Sequence, residues 1–362
     1  MEGLPSGSVG RSAKDRPERI ELEEGNMTEK ENFMRIVNGL EPEWVPRYGV
    51  IPGGDPRFKP ACMSPMISIL RHRDPDGVFR DVFGVEYTPT ESTGGMALPT
   101  PGRFILDDIT KWRDVIKAPS LDDYDWEKIV KDAMKNINRE EVAVGLGCPG
   151  SYFQALMAFM GFTEGLCAMY EEPEEVMALM DYLNNFYDTI TRNIIDLVKP
   201  DIFSIADDTA TSLNPFISPD MYRELIKPFH AKSCSYAMER GIPVNMHNCG
   251  RCEDSIDDWR EFGVRMWNPA QVMNDLPAIK KKYGNSLVLI GCWDSSGPVG
   301  WPGASEELVR SEVRKTIDTY AVGGGFMFWG SVCGDKEDPE VKRRGEWISD
   351  EVYNYGHAFY KH

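Results

Sequence analysis

The 362-residue sequence predicts a parallel α/β fold, a (β/α)8 TIM-type barrel preceded by an N-terminal helical and loop elaboration. Three observations carry that expectation. From residue 141 onward, short β-rich runs alternate with helical stretches through short connections, which fits six to eight strand–helix units without an internal break. Polar, chemically useful side chains recur at the end of one predicted strand after another, where a barrel gathers its reactive groups. Neither G-x-G-x-x-G nor G-x-x-x-x-G-K-[ST] occurs, and this sets the doubly wound open sheet second.

Taken in order, residues 1–26 are polar and charged with no apolar h-region, so they read as a disordered tail ahead of a single domain over 27–362. Thr28–Val37 predicts a first helix, with Thr28 as N-cap and Phe33, Ile36, Val37 and Leu40 on one face. Glu43–Val50 enters the body of the protein. Residues 52–105, rich in Gly and Pro, predict loops and short pieces that roof a pocket. Asp107–Lys117 and Asp122–Ile137 predict helices. A strand over Glu141–Gly147 leads through CPGS into a helix near Tyr152–Tyr170. Pro173 then opens a long amphipathic helix whose aliphatics, from Val176 to Leu197, are core packing.

The strand Asp201–Ala206 ends at Asp207 and Asp208, and Ser218 caps a helix through Arg240. The next strand begins at Ile242, followed by a helix over Glu253–Phe262 and a strand over Val264–Asn268. A helix over Asp275–Tyr283 precedes the strand Leu287–Gly291. After the loop DSSGPVGWPGAS come a helix over Glu306–Tyr320, a strand over Gly325–Trp329 and a final helix from about Glu346.

Composition excludes several classes. No run of about 18 apolar residues exists, so a membrane span is not expected. Lys plus Arg number 40 against 58 Asp plus Glu, a formal charge of −18, and no basic cluster offsets it; nucleic acid is not an expected partner. Eight cysteines scattered through a large chain point to reduced thiols in a cytoplasm, some of them metal-bound, rather than to a disulfide scaffold.

The chemistry concentrates in IPVNMHNCG. If Ile242 opens a strand, alternate residues share a face, and His247 and Cys249 project together from its end. Imidazole and thiol side by side make half of a soft metal site. The other predicted strand ends carry Asp207 and Asp208, Asn268 and Gln271, Cys292 and Asp294, and Cys333. Cys333, after a different strand but at the same rim, is the natural third ligand. A His, Cys, Cys set leaves one position on tetrahedral zinc for substrate or water, and two thiolates with an imidazole suit zinc better than iron or copper.

Three features compete. Cys252 completes a C-x-x-C with Cys249, but no second pair exists for a zinc ribbon. Cys292 reads equally as a packed strand-end thiol or a member of the site. Asn245–Gly250 differs by one residue from the cobalamin signature D-x-H-x-x-G, with Asn in place of the Asp that orients the imidazole.

These residues carry a resemblance. From about Met27 to the C-terminus the chain resembles the uroporphyrinogen decarboxylase-like superfamily, and within it the corrinoid-linked methyltransferases. MTEKENFMRIVNGLEPEWVP, MYEEPEEVMALMDYL, IADDTATSLNPFISPDMYRELIKPFH, KKYGNSLVLIG and YAVGGGFMF are similarly placed. The superfamily's zinc pattern, H-x-C and then a late Cys, matches His247, Cys249 and Cys333. The chain departs from true uroporphyrinogen decarboxylases in VPRYGVIPGGDPRF, which lacks their arginine-rich segment. It departs from thiol-methylating members in WNPAQ, where those carry a carboxylate.

The resemblance implies Zn2+ and a corrinoid (cobalamin) brought by a partner protein. The methyl group would pass between a small methylated substrate, such as an aryl methyl ether, and that corrinoid, or on to a thiol or tetrahydrofolate-type acceptor. Zinc would lower a thiol pKa or stabilise a departing oxygen. Asp207 or Asp208 would position substrate or move a proton, or else serve as strand-end or helix-capping residues. Trp293 and Trp301, with segment 52–105, would wall the substrate. A decarboxylase or lyase centred on Asp207/Asp208, and a non-catalytic accessory of a corrinoid system, are the alternatives.

Overall fold

The structure, a computed structural model, describes residues 27–49, 55–74, 77–89, 97–335 and 337–361. The expectation for the tail 1–26 lies outside these residues. In chain order the elements are α1 (Glu29–Val37), β1 (Cys62–Met63), β2 (Arg71–Arg73), β3 (Phe79–Asp81), β4 (Glu86–Pro89) and β5 (Ala97–Pro99). Next come α2 (Trp112–Val115), α3 (Trp126–Met134), β6 (Ala143–Gly147), α4 (Phe153–Met160), α5 (Phe162–Glu171) and α6 (Pro173–Val198). β7 (Ile202–Ala206), α7 (Pro219–Leu225), α8 (Lys227–Glu239), β8 (Val244–His247), α9 (Ile256–Glu261) and β9 (Val264–Ala270) follow. The chain closes with α10 (Leu276–Tyr283), β10 (Val288–Gly291), α11 (Glu306–Tyr320), β11 (Phe326–Phe328) and α12 (Pro339–Ala358).

Strands β1, β6, β7, β8, β9, β10 and β11 form one sheet in that order, every pair parallel. Strand order that never reverses is a barrel's, because a doubly wound sheet changes direction at a switch point. The segment around Arg47 takes the remaining place: Arg47 bridges Phe328 in parallel, and Tyr48 N–H donates to Phe328 O at 2.9 Å. The fold is a TIM-type barrel.

Alternation along the strands divides its core in two. Ala143, Ile202, Met266, Val288, Ile290 and Met327 cluster with Phe33, Ile36 and Val37, so the first helix plugs the interior. Val144, Phe203, Val244, Trp267, Leu289 and Phe328 join the larger cluster with the outer helices. The Thr28 hydroxyl accepts from Glu31 N–H and the Glu31 carboxylate accepts from Thr28 N–H, a reciprocal cap that starts this plug.

Four expectations need correction, the last in part. The stretch near Tyr152–Tyr170 is two helices, broken at Gly161, whose φ of +83° no helix continues. The stretch Ser218–Arg240 is also two, interrupted at Ile226, because Pro228 has no N–H to continue the hydrogen-bond ladder of the turn before it. The last helix starts at Pro339, capped by Asp338, not at Glu346. Segment 52–105 does hold short pieces, but they are ordered beyond the expectation: β1 belongs to the barrel, and β2–β5 form an antiparallel four-stranded sheet.

Candidate metal centre

β7 and β8 run side by side with Ala206 opposite His247. Counting two residues on along each puts Asp208 level with Cys249, both just past the C-terminal ends of their strands. Asp208, His247 and Cys249 present ligand atoms within 4.8 Å of one another. The Cys249 sulfur is 3.7 Å from His247 Nε2, and Asp208 Oδ1 is 3.9 Å from the same nitrogen. Tetrahedral zinc with bonds of about 2.0 and 2.3 Å spaces nitrogen and sulfur by about 3.5 Å, so the donor set fits this metal.

Each donor is held. Cys249 N–H donates to Asp208 Oδ1 at 2.8 Å, and the Gln154 amide donates to Asp208 Oδ2 at 3.1 Å. Gly250 N–H donates to Gln271 Oε1 at 2.6 Å. The Asn268 amide nitrogen lies 3.3 Å from His247 Nδ1, and Asn268 Oδ1 accepts from Asn245 Nδ2 at 2.9 Å. Asn245 in turn reaches the Ser204 hydroxyl at 3.3 Å. Ser204, Asn245 and Asn268 thus form a polar layer above the apolar plug and behind the imidazole. Asn245 is 2% exposed, and its Oδ1 finds no partner among the described residues.

Burial sets the protonation of the two softer donors. It pushes the Cys249 thiol up to about 12, assisted by the neighbouring Asp208 carboxylate. It lowers the His247 pKa, a pull that outweighs the opposing Asp208 charge. At neutral pH the imidazole is therefore neutral, and the 3.9 Å approach to Asp208 is not an ion pair. A neutral imidazole is what a metal requires.

The structure separates the two aspartates. Strand alternation turns Asp208 inward and Asp207 outward. Asp207 is fully buried; it accepts from the N–H groups of Tyr152, Phe153 and Gln154 at 2.9–3.1 Å and lies 3.0 Å from His230 Nε2. It anchors the start of α4, the capping role. Cys333 sits on the exposed loop after β11, outside the three-donor cluster. Cys252 and Cys292 are buried and also outside it; the Cys252 thiol faces the carbonyls of Asn248 and Gly250. Asp294 is exposed and accepts from Ser296 N–H in its own loop. Trp293 packs on Phe328 and donates to Ser331 O, whereas Trp301 is 61% exposed.

Beside this centre lies a cavity of about 780 Å³. Its roof is the β2–β5 sheet and its floor the end of β6 with the start of α4. The three donors do not line it, but Gln154 does, and Gln154 also holds Asp208. One side chain therefore separates cavity and donors. Gly150 makes the floor possible, because a Cβ there would lie 2.0 Å from the Tyr187 ring.

Fold and site together define a TIM barrel with a carboxylate–imidazole–thiol cluster at the C-terminal ends of its strands. The chain belongs to the uroporphyrinogen decarboxylase (URO-D) family, whose profile matches residues 80–331. No curated protein sequence matches it. Among solved structures, a methyltransferase from Methanosarcina mazei shares the fold with 13% identity and a TM-score of 0.56, covering 91% of this chain and 99% of that one. A uronate isomerase from Bacillus halodurans aligns at 13% identity over 64% of this chain and 58% of its own, with a TM-score of only 0.25. Among the described residues no helix is long and apolar enough to cross a membrane.

Proposed function

We propose that this protein is a cytoplasmic, zinc-dependent methyltransferase that moves a methyl group between a small methylated substrate and the corrinoid of a partner protein, or from that corrinoid to a thiol. The observation that carries the reading is the clustering of Asp208, His247 and Cys249 within 4.8 Å at the barrel mouth. A bound zinc ion would supply Lewis acidity, lowering the pKa of a substrate thiol or stabilising a departing oxygen. His247 and Cys249 would hold it, with Asp208 as third donor. Cys333, on a loop at the same end of the barrel, would join by a movement of that loop. Gln154 would keep the Asp208 carboxylate aimed, and Asn268 would fix the imidazole ring.

Leu213, Val272 and Trp301, on the loops after β7, β9 and β10, are 73%, 45% and 61% exposed. Apolar side chains around the mouth suit the docking of a carrier protein that brings the corrinoid. Family membership does not bring decarboxylation of uroporphyrinogen with it. Arg47 donates to Ser349 Oγ and lies over Phe58, and Arg57 pairs with Asp55 and Asp350, so both arginines of the corresponding stretch are already engaged. The lyase alternative loses Asp207 to its cap.

A spectral assay of cob(I)alamin methylation tests the reading, run with zinc-loaded protein over methoxylated aromatics, methylamines and methyl thiols. Methylation with at least one donor class, or demethylation of methylcobalamin by a thiol, is expected. Silence with every donor and acceptor would favour a non-catalytic accessory of the corrinoid system.

A further inference from the structure

We infer that the cavity beside the metal centre binds a small aromatic carboxylate, its ring among the cavity's aromatic side chains and its charged end on Arg71. The inference deepens the methyl-transfer reading and rests on it only for which end of the ligand faces the metal donors.

Volume comes first. About 780 Å³ lies within the range of small-molecule sites and exceeds what one ring needs. The walls are aromatic on both sides: Phe79, Phe83 and Tyr87 from the roof face Phe159 and Tyr187 from the floor and flank. Several of these rings are locked edge to face, Phe83 on Phe159 at 5.6 Å and Phe79 on Tyr87 at 6.2 Å, so the walls are preformed. Flat, rigid walls of this kind favour a planar ligand over a flexible aliphatic one.

Charge comes second. Arg71 lines the cavity with its guanidinium 4.3 Å from the centre of the Tyr87 ring. Among the described residues it has no carboxylate at ion-pair distance. The cavity's own carboxylate, Asp81, faces Arg71 across the β2–β3 pair and feels its charge without forming an ion pair. Its oxygens accept instead from Phe83 N–H, Val85 N–H and the Tyr87 hydroxyl. The neighbouring basic side chains are engaged otherwise, His72 with Asp74 and Arg73 with Gly77 O. Arg71 thus touches the Tyr87 ring and reaches its hydroxyl but forms no ion pair among the described residues. In a chain of net charge −18 this marks a local anion site, and the planar guanidinium fork matches a carboxylate. The cavity also reaches Gln154, one hydrogen bond from Asp208. A ring substituent that reaches Gln154 would stand next to the metal donors.

The test is calorimetric binding to the full chain, prepared without metal, of 4-methoxybenzoate, 4-methoxybenzyl alcohol and cyclohexanecarboxylate. The benzoate should bind at least about tenfold more tightly than either analogue, because one loses the charged hydrogen bond and the other the ring. Arg71→Gln, at an exposed position, should weaken the benzoate about tenfold and leave the alcohol unchanged. Equal binding of all three, no binding of the benzoate, or an Arg71→Gln variant that binds it as wild type does would overturn the inference. Since no metal is present, these results stand apart from the zinc and methylation assays, and either set can fail alone.

Discussion

The sulfur of Cys249 lies 3.7 Å from Nε2 of His247, two residues apart at the end of one strand, with the Asp208 carboxylate on the neighbouring strand closing the third side. Three donors of different softness converge there because parallel register sets Asp208 level with Cys249 and alternation turns both inward.

Zinc affinity should rise with pH. The Cys249 thiol, pushed up to about 12, is protonated at neutral pH, and His247, pulled down by burial, is already neutral. Binding as thiolate then releases one proton, so the metal-bound state holds fewer protons and gains as pH increases. Competition with a chromogenic chelator between pH 6.5 and 8 should show about a tenfold gain per unit. A flat profile would contradict the assignment of Cys249.

Asp207 should matter to stability rather than to chemistry. Asp207→Ala leaves the buried N–H groups of Tyr152 and Phe153, and the half-buried one of Gln154, without an acceptor. The expected loss is about 3–5 kcal/mol, readable by urea unfolding. A change below about 1 kcal/mol would show that the cap is not needed.

How much of this was legible in sequence follows from periodicity. The strands from Ala143 to Phe328 alternate clearly with their helices and could be placed within a residue or two. β1 could not, because a strand of two residues carries no period, and the three-residue strands β2 and β3 could not be placed either, although Gly and Pro content marked their segment as short pieces roofing a pocket. His247 and Cys249 were visible because they share a strand. The third donor depends on which residue of β7 pairs with His247, a tertiary fact. Yet counting parity from Ile202 would have separated inward Asp208 from outward Asp207. Arg71 gave no signal at all, since its role comes from a cavity that only the folded chain encloses.

Gly250 should resist substitution. Its φ is +95°, and a Cβ there would lie 2.5 Å from Thr211 O and 2.7 Å from Ala210 O. Gly250→Ala must displace the backbone next to Cys249, at a cost of about 1–3 kcal/mol. Thermal unfolding together with zinc content should show both falling. Unchanged values would mean that the turn is not fixed.

Asn268 should act through His247. Asn268→Ala removes the amide against Nδ1 and frees the ring to turn. Zinc affinity should drop about 10–100-fold while stability falls less than in the Asp207→Ala variant. An unaltered chelator competition curve would remove Asn268 from the account.

The most direct measurement is zinc content by mass spectrometry of purified chain, wild type against His247→Ala and Cys249→Ala. About one zinc per wild-type chain, and close to none in either variant, is the result expected for this donor set. Wild-type protein that takes up no zinc, or variants that keep it, would contradict the claim that Asp208, His247 and Cys249 form a metal centre.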